Sequence, residues 1–265
     1  MRNQQLDPSK QVVIIGGGVM GAATASFLGA RFGIRATVLE RDASYARASS
    51  ALSVCAIRQQ FSTEINIRIS QESLAFYRDI GQQLAVGPDR PSIGLVEPGY
   101  LYLATEAGAH VLEENQALQT RCGAAVALLS PSELGERFPW LSTEQITLGS
   151  LGLSTATSGE GWFDGYSALQ AFRQHAIAHG ARFDEAEAVD FDTRDGAVRS
   201  VITRQGERIT ADAVVIAAGA WRMTSTTPRI EMRPTSLSRV GAPSWTARTT
   251  LPMSSIEVRR PMPRT

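Results

Sequence analysis

Three glycines, Gly16, Gly18 and Gly21, and a carboxylate 19 residues beyond the last of them, Glu40, are the residues whose types and spacing point to chemistry. They stand in Val12-Val13-Ile14-Ile15-Gly16-Gly17-Gly18-Val19-Met20-Gly21, followed by a helix-like run and then Ala36-Thr37-Val38-Leu39-Glu40. The chemistry is recognition of an adenine dinucleotide. Gly16 permits a tight turn, Gly18 lets the backbone approach a pyrophosphate, and Gly21 lets the helix pack closely on the strand. The helix that begins at Val19, Met20 and Gly21 offers its unpaired amides and positive dipole end to the phosphates, so no cationic side chain is required. Glu40 can accept from both hydroxyls of an adenosine ribose and would repel a 2′-phosphate, which argues against NADP. A bare glycine motif is a weak signal. Here the apolar strand, the helical spacing of Ala22, Ala25 and Leu28, and the terminal acid all agree with it. The competing reading is a glycine turn in an α/β sheet that binds nothing.

The elements that must position these residues are legible along the chain. The segment from Arg41 to Ile57 contains Ala48-Ser49-Ser50-Ala51, small and polar, suited to backbone and hydroxyl contacts with a ligand or simply a loop. Ile65, Ile69, Leu74, Phe76, Tyr77 and Ile80 approximate helical spacing and predict one long helix over Thr63 to Leu84. Pro91 to Pro98 breaks the chain; Gly99 to Ala104 reads as a strand, Ala107 to Gln119 as a helix and Ala124 to Leu129 as a strand. Ser130-Pro131-Ser132-Glu133 opens a further helix with an N-cap serine, proline and an early acid. Gly161-Trp162-Phe163-Asp164 leads into a helix from about Tyr166 to His179, closed by Gly180. Pieces at Arg182 to Phe183, Ala188 to Asp192, Val198 to Thr203 and Arg208 to Thr210 predict a small β-meander, with Asp195-Gly196 as a hairpin turn. Ala213 to Trp221 is a continuous apolar run ending in a small-residue turn, the pattern of a buried parallel strand.

Composition bounds the function classes. The 265 residues are 43% hydrophobic and 20% charged, ordinary values for a globular protein. No run is long enough for a membrane span, the polar start from Met1 to Lys10 matches neither a signal nor a transit peptide, and the expected location is cytoplasmic. Cys55 and Cys122 lie far apart without ligand-spaced neighbours, so neither a disulfide framework nor a metal site is expected. Cys55 reads as a small buried hydrophobe, because nothing activating flanks it. His110, His175 and His179 read as surface or packing residues on helices. The net charge of zero hides an asymmetry: residues 1–221 hold 18 basic and 24 acidic side chains, and residues 222–265 hold eight Arg against two Glu. Eight arginines without aromatic interleaving are no nucleic-acid footprint.

The glycine motif with Glu40, the segment Ala48 to Phe61, the strand at Gly99 to Ala104, Gly159 to Asp164 and the closing Ala217-Ala218-Gly219-Ala220-Trp221 together resemble the FAD-dependent oxidoreductases of the D-amino-acid oxidase superfamily. Within it, the branch of sarcosine and dimethylglycine dehydrogenases, glycine oxidase and the FAD-dependent oxidoreductase domain-containing proteins is most similar. The resemblance covers nearly all of residues 10–221. It implies an α/β fold: a Rossmann-like FAD-binding domain in two parts, residues 1–90 and 159–221, with an inserted, incomplete α+β substrate domain at residues 91–158. It also implies roles. Gly16, Gly18 and Gly21 would face the FAD pyrophosphate, Glu40 the adenosine ribose and Arg41 its edge. Ser49 and Ser50 would lie by the pyrophosphate and flavin, and Ala218 and Gly219 would pass close to the cofactor. Arg58 resembles the arginine that relatives place over the flavin face to hold a substrate carboxylate, a task suited to its fork of parallel donors; an ordinary ion pair is the alternative. The implied reaction is oxidation of the C–N bond of an amino acid or a secondary or tertiary amine, with electrons passing to oxygen, a quinone or an electron-transfer protein. An NAD-dependent dehydrogenase and a non-catalytic nucleotide-binding remnant are the competing readings.

Two departures stand out. Val54-Cys55-Ala56 replaces the glycines that the family commonly carries before the Ile-Arg pair. Trp162 and Trp221, in matched turns, read as aromatic packing. From Arg222 to Thr265 the chain is crowded with Arg, Ser, Thr and Pro, lacks Lys and Asp and shows no periodicity, a disorder-like composition. The family's substrate sheet and a final flavin-covering segment would continue there. The tail therefore reads as a truncation or frameshift after Trp221, with a divergent basic tail as the alternative; an incomplete substrate layer predicts low solubility or reliance on a partner and impaired activity.

Overall fold

The computed structural model describes residues 7–219. Its first layer is a parallel sheet in the order β12 (Ala213–Ile216), β1 (Val12–Ile15), β2 (Thr37–Glu40) and β8 (Arg182–Glu185). Strand alternation explains the layers on either side. Val12, Ile14 and Val38 point to one face, where they bury against Ala25 of α1 (Val19–Phe32) and Ala176 of α6 (Gly165–Ala178). Val13 and Leu39 point to the other, against Val201 of an antiparallel sheet formed by β9 (Ala188–Arg194), β10 (Ala197–Thr203) and β11 (Arg208–Thr210), and against Ala211 just after it.

The expected meander is thus corrected at its first member. β8 joins the parallel sheet beside β2, pairing Val38 with Phe183, and only β9 to β11 form the meander. The tight turn after α6 directs this outcome, because Gly180 at φ +89° lets Ala181 leave the helix and Arg182 bond Ala36. The sequence-predicted long helix is also divided. α2 (Glu64–Arg78) stops at Asp79, whose carbonyl accepts from Gln82 and Gln83 and starts the short α3 (Ile80–Gln83). The break turns Ile80 and Leu84 into the cluster that also holds Phe76, Tyr77 and Phe172.

The second sheet is antiparallel, in the order β4 (Tyr100–Ala104), β6 (Leu148–Gly152) and β5 (Val126–Leu129), packed against α4 (Glu106–Arg121) and α5 (Pro131–Arg137). α5 starts as its sequence requires: Ser130 Oγ accepts from the Glu133 amide, and Glu133 accepts from the Ser130 amide at 2.7 Å. A two-stranded piece, β3 (Ala56–Ile57) with β7 (Gly161–Trp162), joins this region to the start of α6. The sequence readings at Trp221 and in the tail lie outside the described residues, as do Met1 to Leu6.

The contact between α1 and α6 contains a buried histidine. His175 is 7% exposed, its Nδ1 lies 2.9 Å from Ser26 Oγ, and its ring lies tilted by 38° against His179 with centroids 4.2 Å apart. Burial, and secondarily His179, hold its pKa below the ordinary histidine value. The unfolded chain therefore takes up this proton at a higher pH than the folded one, so stability is lost as pH falls below the ordinary value. We expect the thermal midpoint to fall between about pH 7.5 and about 5.5 more steeply in the parent chain than in His175→Gln. Parallel slopes for the two proteins would remove His175 as the origin.

Candidate cofactor and substrate site

At the glycine turn, strand ends and a helix start converge. Gly16 has φ +97°, its amide donates to Leu39 at 2.8 Å, and the Ala217 amide donates to Ile15 at 2.8 Å. A Cβ on Gly16 would stand 2.5 Å from the Ala217 carbonyl oxygen and 2.9 Å from Ala218 Cα. The structure thereby brings Gly16 and Ala218, two sequence-predicted site residues, into direct apposition. Gly21 packs on the same turn, where a Cβ would lie 1.9 Å from the Gly16 carbonyl oxygen.

Gly18 differs from both. It has φ −59°, ordinary for any residue, and a Cβ on it would meet nothing within 4 Å. Nothing in the described protein therefore requires glycine at this position, whereas a pyrophosphate laid against the turn does. α1 begins here without a side-chain cap and without an acid in its first turn, leaving the amides that follow Gly18 open to an anion. Met20 on that first turn is 70% exposed, so it does not close the approach.

Glu40 ends β2 beside this opening. One oxygen accepts from the Gly17 amide at 2.8 Å, the other from the Asp42 amide at 3.0 Å. A carboxylate has about four lone-pair positions, so each oxygen retains room for a ribose hydroxyl. Beneath the turn lies Tyr45, 5% exposed and at φ +56°; its hydroxyl oxygen would be 3.3 Å from a Cβ on Gly17. These features fit the adenosine and pyrophosphate end of FAD. Of the remaining residues, Arg41 follows Glu40 and is half-buried, Ser49 is exposed, and Ser50 is half-buried, its carbonyl accepting from Cys55 Sγ at 3.4 Å. Gly219 adopts φ +57°, and a Cβ there meets no described atom within 4 Å; its backbone conformation is what favours glycine.

Arg58 belongs to a second cluster. Its guanidinium carbon lies 5.1 Å from the ring centre of Phe61, 5.7 Å from Tyr100 and 5.8 Å from Tyr102, and its buried Nε has no hydrogen-bond partner among the described residues. The ordinary ion pair weighed for Arg58 is absent from the ion pairs of the described residues. Next to it is Glu160, which sequence reasoning passed over. Glu160 is fully buried, and accepts from the Gln59 amide at 2.5 Å, the Gln60 amide at 2.9 Å and Gln60 Nε2 at 2.8 Å. Burial pushes its carboxyl up from the usual range, while these hydrogen bonds and Arg58 pull it part of the way back. The available signal was an acid held between two glycines: a Cβ on Gly159 or Gly161 would stand 1.9 Å from Glu97 Oε1 or the Val96 carbonyl.

Two readings are corrected here. Trp162 is 50% exposed rather than packed, and with Val54, Ala56, Tyr100 and Leu101 it lines a groove of about 470 Å³. Cys55 is half-buried at φ +49°, rather than a fully buried hydrophobe, because the turn into β3 holds it at the edge with its sulfur against Gly165.

Fold and glycine site together define an α/β dinucleotide-binding protein with a second, antiparallel layer beside the loop that carries Arg58. The chain belongs to the FAD dependent oxidoreductase family, whose model matches residues 11–259, and FAD is the cofactor that this membership implies in place of NAD. It is 43% identical over 204 residues to FAD-dependent oxidoreductase domain-containing protein 1 of Xenopus laevis, covering 75% of this chain and 40% of that protein. To glycine oxidase of Geobacillus kaustophilus it is 32% identical over 215 residues, covering 79% and 54%. The crystal structure of L-proline dehydrogenase from P. horikoshii matches with a TM-score of 0.68 at 26% identity, covering 83% of this chain and 55% of that one. The chain thus spans about half or less of the length of these relatives. No helix among the described residues is long and apolar enough to cross a membrane.

Proposed function

We propose that the protein oxidises the C–N bond of an amino acid or a secondary or tertiary amine, with Arg58 as the anchor for a substrate carboxylate. The observation that carries this reading is the guanidinium held over three aromatic rings with its Nε unpartnered. Two relatives supply the substrate class, since one is named for glycine and the other for L-proline. FAD, when bound, supplies the hydride acceptor for such a reaction.

The chain's own residues do the rest. Gly16 and Gly18 clear the backbone for the pyrophosphate, the first amides of α1 neutralise it, and Glu40 holds the ribose hydroxyls. In the same reading Arg41 lies at the adenosine edge, Ser49 and Ser50 near the pyrophosphate and flavin, and Ala218 and Gly219 along the cofactor. Arg58 fixes the carboxylate in one plane and so orients the α-carbon. No protein acid or base is required when the amine binds neutral.

The test is anaerobic mixing of the FAD-loaded full chain with glycine, sarcosine, dimethylglycine and proline, following the oxidised flavin absorbance. Bleaching by at least one of them is expected. A chain that binds FAD but is bleached by none is a nucleotide-binding remnant, and one that never takes up FAD defeats the reading altogether.

A further inference from the structure

Arg58 emerges from a backbone that is fastened on both sides. Its carbonyl accepts from Ser70 Oγ of α2, and the two amides that follow it, Gln59 and Gln60, donate to a single oxygen of Glu160. The other Glu160 oxygen accepts from Gln60 Nε2, whose amide group also donates to the Tyr100 carbonyl at 2.8 Å, while Ser150 Oγ donates to Gln60 Oε1 at 2.6 Å. The Gln60 side chain, itself held by Glu160, thereby ties the Arg58 loop to β4 and β6, the strands that carry Tyr100 and Ser150.

Room for this carboxylate is built into the sheet. A Cβ on Gly152 would stand 1.8 Å from Glu160 Oε2, so β6 carries a glycine where any larger residue would expel the acid. Glu160 has no ion pair within 4 Å among the described residues, although it is fully buried. A buried carboxylate without an ion pair is costly, and its hydrogen bonds must compensate. A loop that needed only fastening would be served by a neutral acceptor. What the carboxylate adds is one strong acceptor oxygen shared by two adjacent amides and a second for Gln60 Nε2, immediately after the residue that projects into the aromatic cage.

We propose that Glu160 is the positioning residue for Arg58: it touches no substrate, but its clamp on Gln59 and Gln60 sets the line along which the guanidinium meets a carboxylate. The proposal rests on the reading of Arg58 as an anion anchor. Residues that present a binding group are effective only when their own backbone is held to a fraction of an ångström.

Benzoate and its uncharged isostere benzamide are the probes, titrated into the FAD-loaded full chain by calorimetry. Glu160→Asp keeps the charge but withdraws the carboxylate by one methylene, so the field at Arg58 is little changed while the clamp is lost. Benzoate is expected to bind at least about tenfold more weakly to Glu160→Asp, with benzamide unchanged within about twofold. A merely structural role would weaken both probes alike or neither, and either result overturns the proposal. Arg58→Leu separates the two levels: if it leaves benzoate binding intact, the anchor reading itself has failed. If Arg58→Leu weakens benzoate and Glu160→Asp does not, only the positioning role is lost. Should Glu160→Asp not fold, hydrogen exchange on the unmodified chain decides. Benzoate should slow exchange in a peptide containing Gln59 and Gln60, and an unchanged rate overturns the proposal.

Discussion

Gly16→Ala is expected to abolish retention of FAD. Two independent costs meet at this residue: φ +97°, which an L side chain rarely adopts, and a Cβ that would press to 2.5 Å from the Ala217 carbonyl oxygen. The obstacle is backbone at the end of a paired strand, so it cannot swing aside as a long side chain would. Overpacking and backbone strain of this kind cost about 3 kcal/mol together, which corresponds to a loss of roughly a hundredfold or more in an affinity that depends on the turn. The check is the flavin-to-protein ratio after gel filtration, with far-ultraviolet circular dichroism confirming that the variant is folded. Gly18→Ala is the informative partner. Its Cβ would meet no protein atom within 4 Å, so stability should be nearly unchanged while FAD is still lost. Full FAD binding by Gly18→Ala would show that the pyrophosphate lies elsewhere.

Arg58→Leu is expected to retain FAD and to lose recognition of carboxylate substrates. A hydrogen-bonded charge pair contributes about 1.5–3 kcal/mol, so kcat/KM for an amino acid should fall roughly ten- to a hundredfold, chiefly through KM. Amines that lack a carboxylate should be unaffected. Leucine keeps apolar contact with Phe61, Tyr100 and Tyr102, which limits the loss of packing that alanine would cause. An equal fall for both kinds of substrate would place Arg58 in the scaffold instead.

The cofactor end of this site was legible because its physics is local. A turn that needs glycine, a helix start and an acid at the next strand end all fall within residues 12–40. The Arg58 end, proposed for substrate, is not local. Glu160 acts on residues a hundred positions earlier, and the fit between Gly152 and its carboxylate has no expression in periodicity. β6 went unread for the same reason: Leu148-Gly149-Ser150-Leu151-Gly152 contains no β-branched or aromatic residue. Its glycines are explained only by what faces them, Leu134 at Gly149 and Glu160 at Gly152. β8 was assigned to the wrong sheet because its short run of mixed polarity carries no signal for parallel pairing, which Arg182 to Glu185 obtain from β2 alone. The split of α2 from α3 followed a tertiary demand, the burial of Ile80 and Leu84, that overrode a helical pattern.

β1 lies between β12 and β2, and the wall that Gly16 leans on is residue 217. A ribosome delivers β12 some two hundred residues after β1, so at roughly 5–20 residues per second the nascent chain waits roughly 10–40 s with its central strand unpaired on one side. The nucleotide cradle is therefore a late product of synthesis. Until β12 arrives, β1 keeps an open edge and the Gly16 turn lacks the wall that Ala217 gives it.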